Sequence, residues 1–142
     1  MEYEVDIKDG EFIVQEAGRN YVVDLNQRLL SFSVEIIRFL MSLPYKKEFE
    51  VLRLQLSKSA TSIGANYEES QASTYKEFNQ KVRIALRESN ETNYWLKIVR
   101  ELGVGDLKKL EKLMIESREI SLILGAIASK VDKKLKENKN IR

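Results

Sequence analysis

The sequence predicts an all-α fold, an antiparallel up-down-up-down four-helix bundle with a short N-terminal extension in front of it. Three observations predict it. Pro44 is the only proline and glycine is sparse at six residues, which disfavours a turn-rich β fold. Four long segments repeat apolar residues every three or four positions, the period of a helix face. The breaks between them are only a few residues long, short enough to join antiparallel neighbours.

Residues 1–24 are set apart. EYEVDI and EFIVQEA alternate in period two around Lys8-Asp9-Gly10, and Asp-Gly between alternating runs is a hairpin signal. A β-hairpin is expected here, and a disordered acidic arm is the alternative. A lone hairpin is marginal in water, so it must dock on the helices or on a neighbouring subunit.

Helix 1 is expected over Leu25–Leu43. Leu29, Phe32, Ile36, Phe39 and Leu40 form its core stripe, and Leu30, Val34, Ile37 and Met41 form a second one. Pro44 ends it, because the residue before proline is pushed out of helical geometry. Helix 2 is expected over Lys47–Gln71, with Leu52, Leu56, Ser59, Ile63 and Tyr67 inward. Its segment SKSATSIGANYEES (Ser57–Ser70) has helical spacing but little bulk. Glycine inside a helix costs up to about 1 kcal/mol relative to alanine, so Gly64 implies a backbone or large side chain pressed against it. Ala60 and Gly64, four apart, make a flat groove.

Thr74 and Glu77 have capping-box spacing at the head of helix 3, Tyr75–Leu102. Phe78, Val82, Ala85, Leu86, Ser89, Thr92, Leu96 and Val99 form one face; Ile84, Trp95, Ile98 and Leu102 form another. Gly103 stops this helix. Helix 4 is expected over Asp106–Glu137. Its core stripe is Leu107, Leu110, Met114, Ser117, Ser121, Leu124, Ala128, Val131 and Leu135, with Leu113, Ile120, Ile123 and Ile127 as a second. The boundaries read as an acidic arm or hairpin (1–24), a bundle (25–137) and a basic tail (138–142). Apolar stripes on more than one face exceed what a lone bundle buries, which points to a homo-oligomer.

Composition excludes several chemistries. The chain has no cysteine and no histidine. Disulfides, thiolate and imidazole zinc sites, and Cys–His or Ser–His catalysis are therefore absent. No apolar run approaches the roughly 20 residues of a membrane span, and the start lacks a basic region followed by an apolar one. A cytoplasmic protein without membrane partner is expected. No phosphate-cradling glycine pattern appears, so no cofactor is expected. Net charge is only +2, but residues 1–25 carry seven acids and two bases, and Lys130–Arg142 carries six bases and two acids. A basic tail attracts phosphate; its lysines also complement a helix C-terminal dipole.

Glu68 and Glu69 sit late in helix 2, and Glu88 and Glu91 mid-helix 3. Their levels differ by roughly 15 Å at 1.5 Å rise per residue, so they do not converge on a metal. Salt bridging to Lys81, Arg83, Arg87 or Arg38 is the expected role. Asn66 and Asn90 are candidates for buried, register-fixing hydrogen bonds. Serines without a base or oxyanion hole read as packing residues, and the chain is expected not to be an enzyme.

Thr61-Ser62-Ile63-Gly64-Ala65-Asn66 followed by Glu68-Glu69, and Ile84-Ala85-Leu86 with Glu88, Glu91-Thr92 and Tyr94-Trp95-Leu96, resemble the bacterial four-helix-bundle family of 23S ribosomal RNA intervening-sequence proteins. The resemblance covers about residues 26–136. It implies an antiparallel bundle assembled into rings, with pentamers the expected form, and a role in binding RNA. The accessory proteins of diversity-generating retroelements resemble the same bundle; they form basic pentameric barrels that bind nucleic acid and a reverse transcriptase. Under this resemblance, Arg53 and Lys58 on helix 2 with Lys76, Lys81, Arg83 and Arg87 on helix 3 are the candidate nucleic-acid-binding residues. Five copies would multiply a modest positive patch into a field that attracts phosphate; a solvated face balanced by acids is the alternative. Ala60, Ile63, Gly64, Asn66, Tyr94 and Trp95 are the candidate packing or interface residues. RNA or a protein is the expected partner.

Overall fold

The computed structural model describes the backbone of residues 4–8, 11–16, 19–22, 24–71 and 74–140, and the side chains of 24–71 and 74–137. Asp9-Gly10, where the sequence places the hairpin turn, and Ala72-Ser73, where it places a break, lie outside the described residues, as do the side chains of the basic tail, 138–142.

Four helices follow a small sheet: α1 (Leu25–Leu40), α2 (Glu50–Ser70), α3 (Tyr75–Leu102) and α4 (Leu107–Asn140). Each helix packs on its sequence neighbour, and α1 closes the square against α4. The arrangement is the expected all-α up-down-up-down bundle.

The N-terminal extension forms strands β1 (Glu4–Lys8), β2 (Glu11–Glu16) and β3 (Arg19–Val22) in an antiparallel sheet of order β1-β2-β3. Val5 pairs with Val14 and Lys8 with Glu11, the register of the expected hairpin. The third strand was not expected; Ile13 pairs with Val22 and Glu16 with Arg19. It supplies the extra pairing that a two-stranded ribbon lacks. The β1 backbone lies against α4.

Local signals set the helix ends. Asp24 accepts the Gln27 amide at 3.1 Å and starts α1. The expected end at Leu43 is three residues late: Ser42 and Leu43 turn back in tighter bonds to Phe39 and Leu40 carbonyls, which relieves the chain before Pro44. Leu43 is still buried. Lys47–Phe49 is a 3-10 turn leading into α2 rather than its first α-helical turn. Thr74 and Glu77 form a complete capping box on α3. Asp106 accepts the Lys109 amide at 3.2 Å and caps α4. Gly105 takes φ 83°, and a β-carbon there would stand 2.8 Å from the Phe39 ring, so only glycine lets the α3–α4 connection seat on the end of α1.

The core sits on the square's axis. Leu29, Phe32, Ile36 and Phe39 of α1 meet Leu56, Ala60, Ile63 and Tyr67 of α2, Val82, Leu96 and Val99 of α3, and Ile120, Leu124, Ile127 and Val131 of α4. Leu107, expected in the α4 core stripe, is instead exposed, because it stands in the first turn beyond the reach of its neighbours.

Candidate nucleic-acid interface

Hydrogen bonds between helices fix which residues face outward on each side of the square. The α3–α4 seam is a polar ladder. Asn79 Nδ2 donates to Asp132 at 2.8 Å, Ser89 and Ser121 hydroxyls are 2.6 Å apart, and Asn93 Nδ2 donates to Ser121 Oγ at 2.9 Å. Ser117 Oγ donates to Asn93 Oδ1, closing the set. On the α2–α3 side, Thr92 and Ser59 hydroxyls meet at 3.0 Å, both fully buried. The ladder runs through Asn93, whereas Asn90, named from sequence, is exposed. Its serines and threonine share phase with leucines and valines, which was the available signal.

The six basic candidates do not form one patch. Arg53 reaches back across the α1–α2 turn, donating to the Leu43 and Pro44 carbonyl oxygens at 2.8 Å each, with its guanidinium 5.0 Å from the Tyr45 ring. It is committed to closing that turn. Lys58 and Lys81 face the α2–α3 side, where Lys81 Nζ lies 2.8 Å from Glu69. Glu88 on this side has its carboxyl pushed up by desolvation and by Glu91, against the opposing pull of Lys58 and Arg87. Glu91 accepts the Trp95 indole N–H at 3.1 Å. Glu68, Glu88 and Glu91 make no ion pair within 4.0 Å among the described residues. Arg38 pairs with Glu35 at 2.6 Å, one turn away on its own helix.

Arg83 pairs with Asp132 across the α3–α4 seam. Arg87, one turn on, is exposed and has no ion pair among the described residues. Lys76 is exposed at the head of α3. Arg83 and Arg87 border a surface recess with Gln80, Ile84 and Leu86.

The packing candidates divide as sharply. Ala60 and Ile63 are buried in the core. Gly64 faces Leu29 of α1, so the close approach is within the bundle. Asn66 is half-buried and donates back to the Ser62 carbonyl and hydroxyl oxygens at 2.8 and 3.0 Å. Trp95 packs partly on the core, while Tyr94 beside it is 59% exposed, the rings meeting edge-on at 5.9 Å.

Two features were not read from sequence. Arg28 of α1 spans to α4, with Nε 2.6 Å from Glu116 and a second nitrogen 2.6 Å from Glu119. These hydrogen bonds raise its already high proton affinity further, against partial burial. The second is the fate of the second stripes. On α4, Leu113, Ile120, Ile123 and Ile127 are buried. On α1, Leu30, Val34, Ile37 and Met41 stand 58%, 38%, 46% and 77% exposed, and Leu54 of α2 beside them is 62% exposed. The four α1 positions recur every three or four residues and so share one outward apolar stripe.

No cluster of three or more metal-ligating side chains occurs among the described residues. No described helix is long and apolar enough to cross a membrane.

The comparisons agree with this architecture. A crystal structure of a protein of unknown function from the S23 ribosomal protein family of Bacteroides thetaiotaomicron is 32% identical, covers 73% of this chain and 97% of its own, and superposes with a TM-score of 0.66. None of the curated proteins matches. The family described as 23S rRNA-intervening sequence protein matches residues 23–126, through both motif segments and the capped heads of α1, α3 and α4. The chain belongs to the 23S rRNA-intervening sequence protein family.

Proposed function

We propose that this chain works without catalysing a reaction, as a cytoplasmic homo-oligomer that binds structured RNA, with the pentamer as the favoured form. The observation that carries the reading is the apolar face of Leu30, Val34, Ile37, Met41 and Leu54. Exposed contiguous apolar patches on soluble proteins mark interaction sites. Two further apolar residues, Ile115 and Leu122, are exposed on a different helix, α4. Two unlike apolar faces suit head-to-tail contacts, the kind that close into rings. Exposed lysines and arginines on α3 would then be repeated around the ring, which concentrates positive potential.

Light scattering coupled to absorbance at two wavelengths tests the reading. A multimer whose peak carries nucleic acid, removed by nuclease treatment, supports it. A monomer free of nucleic acid overturns it. The second reading is a protein scaffold or adaptor with no nucleic-acid role, favoured by the same apolar face if it accepts a foreign helix. A pulldown unchanged by nuclease would select it.

A further inference from the structure

The basic residues named from sequence fall on two sides of the square, and these sides differ in charge. On the α2–α3 side, Lys58 and Lys81 stand among Glu69, Glu88 and Glu91, and Lys81 is held by Glu69. On the α3–α4 side, Asp132 is bound by Arg83 and Asn79. Lys97 and Arg118 on that side are exposed and make no ion pair among the described residues. Arg87, on the outward face of α3, is likewise exposed and without an ion pair among them, bordering a recess with Arg83 while its charge also acts on Glu88. Lys97 and Arg118 line one recess between α3 and α4, with Asn93, Leu96 and Met114. Their positions are set by the buried ladder, since Asn93 is bonded to Ser117 and Ser121 directly beneath.

Tyr94 lies between them. It follows Arg87 by two helical turns, about 10 Å along the axis, and precedes Lys97 by less than one turn. Its ring is exposed and braced edge-on by Trp95, which is itself anchored to the core and to Glu91. An exposed, braced aromatic ring between unpaired cations matches the requirements of single-stranded nucleic acid: cations follow the backbone and the ring stacks on a base.

We propose that an unpaired segment of RNA lies along the α3–α4 face, with Arg87, Lys97 and Arg118 on its phosphates and Tyr94 stacked on a base. The proposal rests on the RNA reading above and assigns it to one face. It adds Lys97, Arg118 and Tyr94 and removes Arg53, Lys58 and Lys81.

The test uses the full chain and a fluorescent single-stranded RNA of about 16 nucleotides of mixed adenosine and uridine. Arg87→Glu with Arg118→Glu should weaken binding at low salt by more than tenfold. It should also flatten the salt dependence, by about 0.7 in log–log slope for each phosphate no longer neutralised. Tyr94→Ala should weaken binding about tenfold, with Tyr94→Phe restoring it. Lys58→Glu, on the α2–α3 side, should leave affinity within twofold. All four positions are exposed, and unchanged thermal melting confirms folding. If the parent binds but Lys58→Glu weakens it as much as Arg87→Glu with Arg118→Glu, the face assignment is overturned while the RNA reading survives. If Tyr94→Phe fails to restore binding, stacking is overturned. If the parent does not bind this RNA at low salt, the single-strand assignment is overturned; if it also fails to bind a folded hairpin RNA, the RNA reading falls with it.

Discussion

A β-carbon placed on Gly64 would stand 3.3 Å from the Leu29 β-carbon and 3.7 Å from the Leu29 carbonyl carbon, so α2 rests directly on the backbone of α1 at this level. Alanine needs Leu29 to yield slightly, while helix propensity gains up to about 1 kcal/mol over glycine. The two effects offset, and Gly64→Ala should stay within about 1 kcal/mol of the parent. Leucine cannot be accommodated that way, and Gly64→Leu should lose about 1–3 kcal/mol. Urea unfolding midpoints check both. A Leu variant as stable as the parent would show that the two helices part easily here.

The Asn93–Ser117–Ser121 ladder predicts a coupling. Asn93→Ala leaves the fully buried Ser117 hydroxyl without its acceptor and removes one donor to Ser121, which keeps its bond with Ser89. An orphaned buried polar group costs about 1–3 kcal/mol. Ser117→Ala made on top of Asn93→Ala should then cost less than it does alone, because its partner is already gone. A double-mutant cycle in denaturant measures the difference. Strict additivity would mean that the groups do not act as a unit.

Tyr67 is almost fully buried, and burial, opposed by a hydrogen bond with Gln71, pushes its phenol up to about 12 from an ordinary 10.0. The neutral form is favoured in the folded state. Its stabilising contribution is complete below pH 10 and is lost as pH rises to about 12, because the unfolded chain releases the proton first. Two units correspond to about 3 kcal/mol at most. Tyr67→Phe should lose roughly 1 kcal/mol at neutral pH through the missing hydrogen bond. It should also show a shallower fall in stability over that alkaline window. Parallel curves for the two proteins would remove Tyr67 from the account.

Much of the fold was legible because apolar period reports the phase of a helix about its own axis. Leu29, Phe32 and Ile36 of α1 and Leu56 and Ile63 of α2 were assigned inward on that ground and are buried. Phase does not report where neighbours stand. The second stripes of α1 and α4 look alike in sequence, yet Ile120 and Ile123 are enclosed and Val34 and Ile37 are not. Long basic side chains are harder still. Arg53 and Arg87 are indistinguishable as letters, and the difference is a pair of turn carbonyls that the tertiary fold brings within 2.8 Å of Arg53. The Arg28 bridge to Glu116 and Glu119 was missed for the same reason: it joins residues about 90 positions apart.

The exposed stripe of α1 makes the assembly testable without disturbing the core. Val34 and Ile37 are 38% and 46% exposed and touch no polar network, so glutamate at both positions leaves the core side of α1 intact. Surface substitutions of this kind usually stay within about 0.5 kcal/mol, and glutamate is at least as good a helix former as valine or isoleucine. Buried between copies, however, two carboxylates on an apolar face carry a desolvation cost with no partner. Val34→Glu with Ile37→Glu should therefore fall to monomer mass in light scattering while its circular dichroism stays helical. Its melting temperature should also lose any dependence on protein concentration, since only an associating protein shows one. Retention of the parent's multimeric mass would move the subunit contact off α1, to the face that carries Ile115 and Leu122.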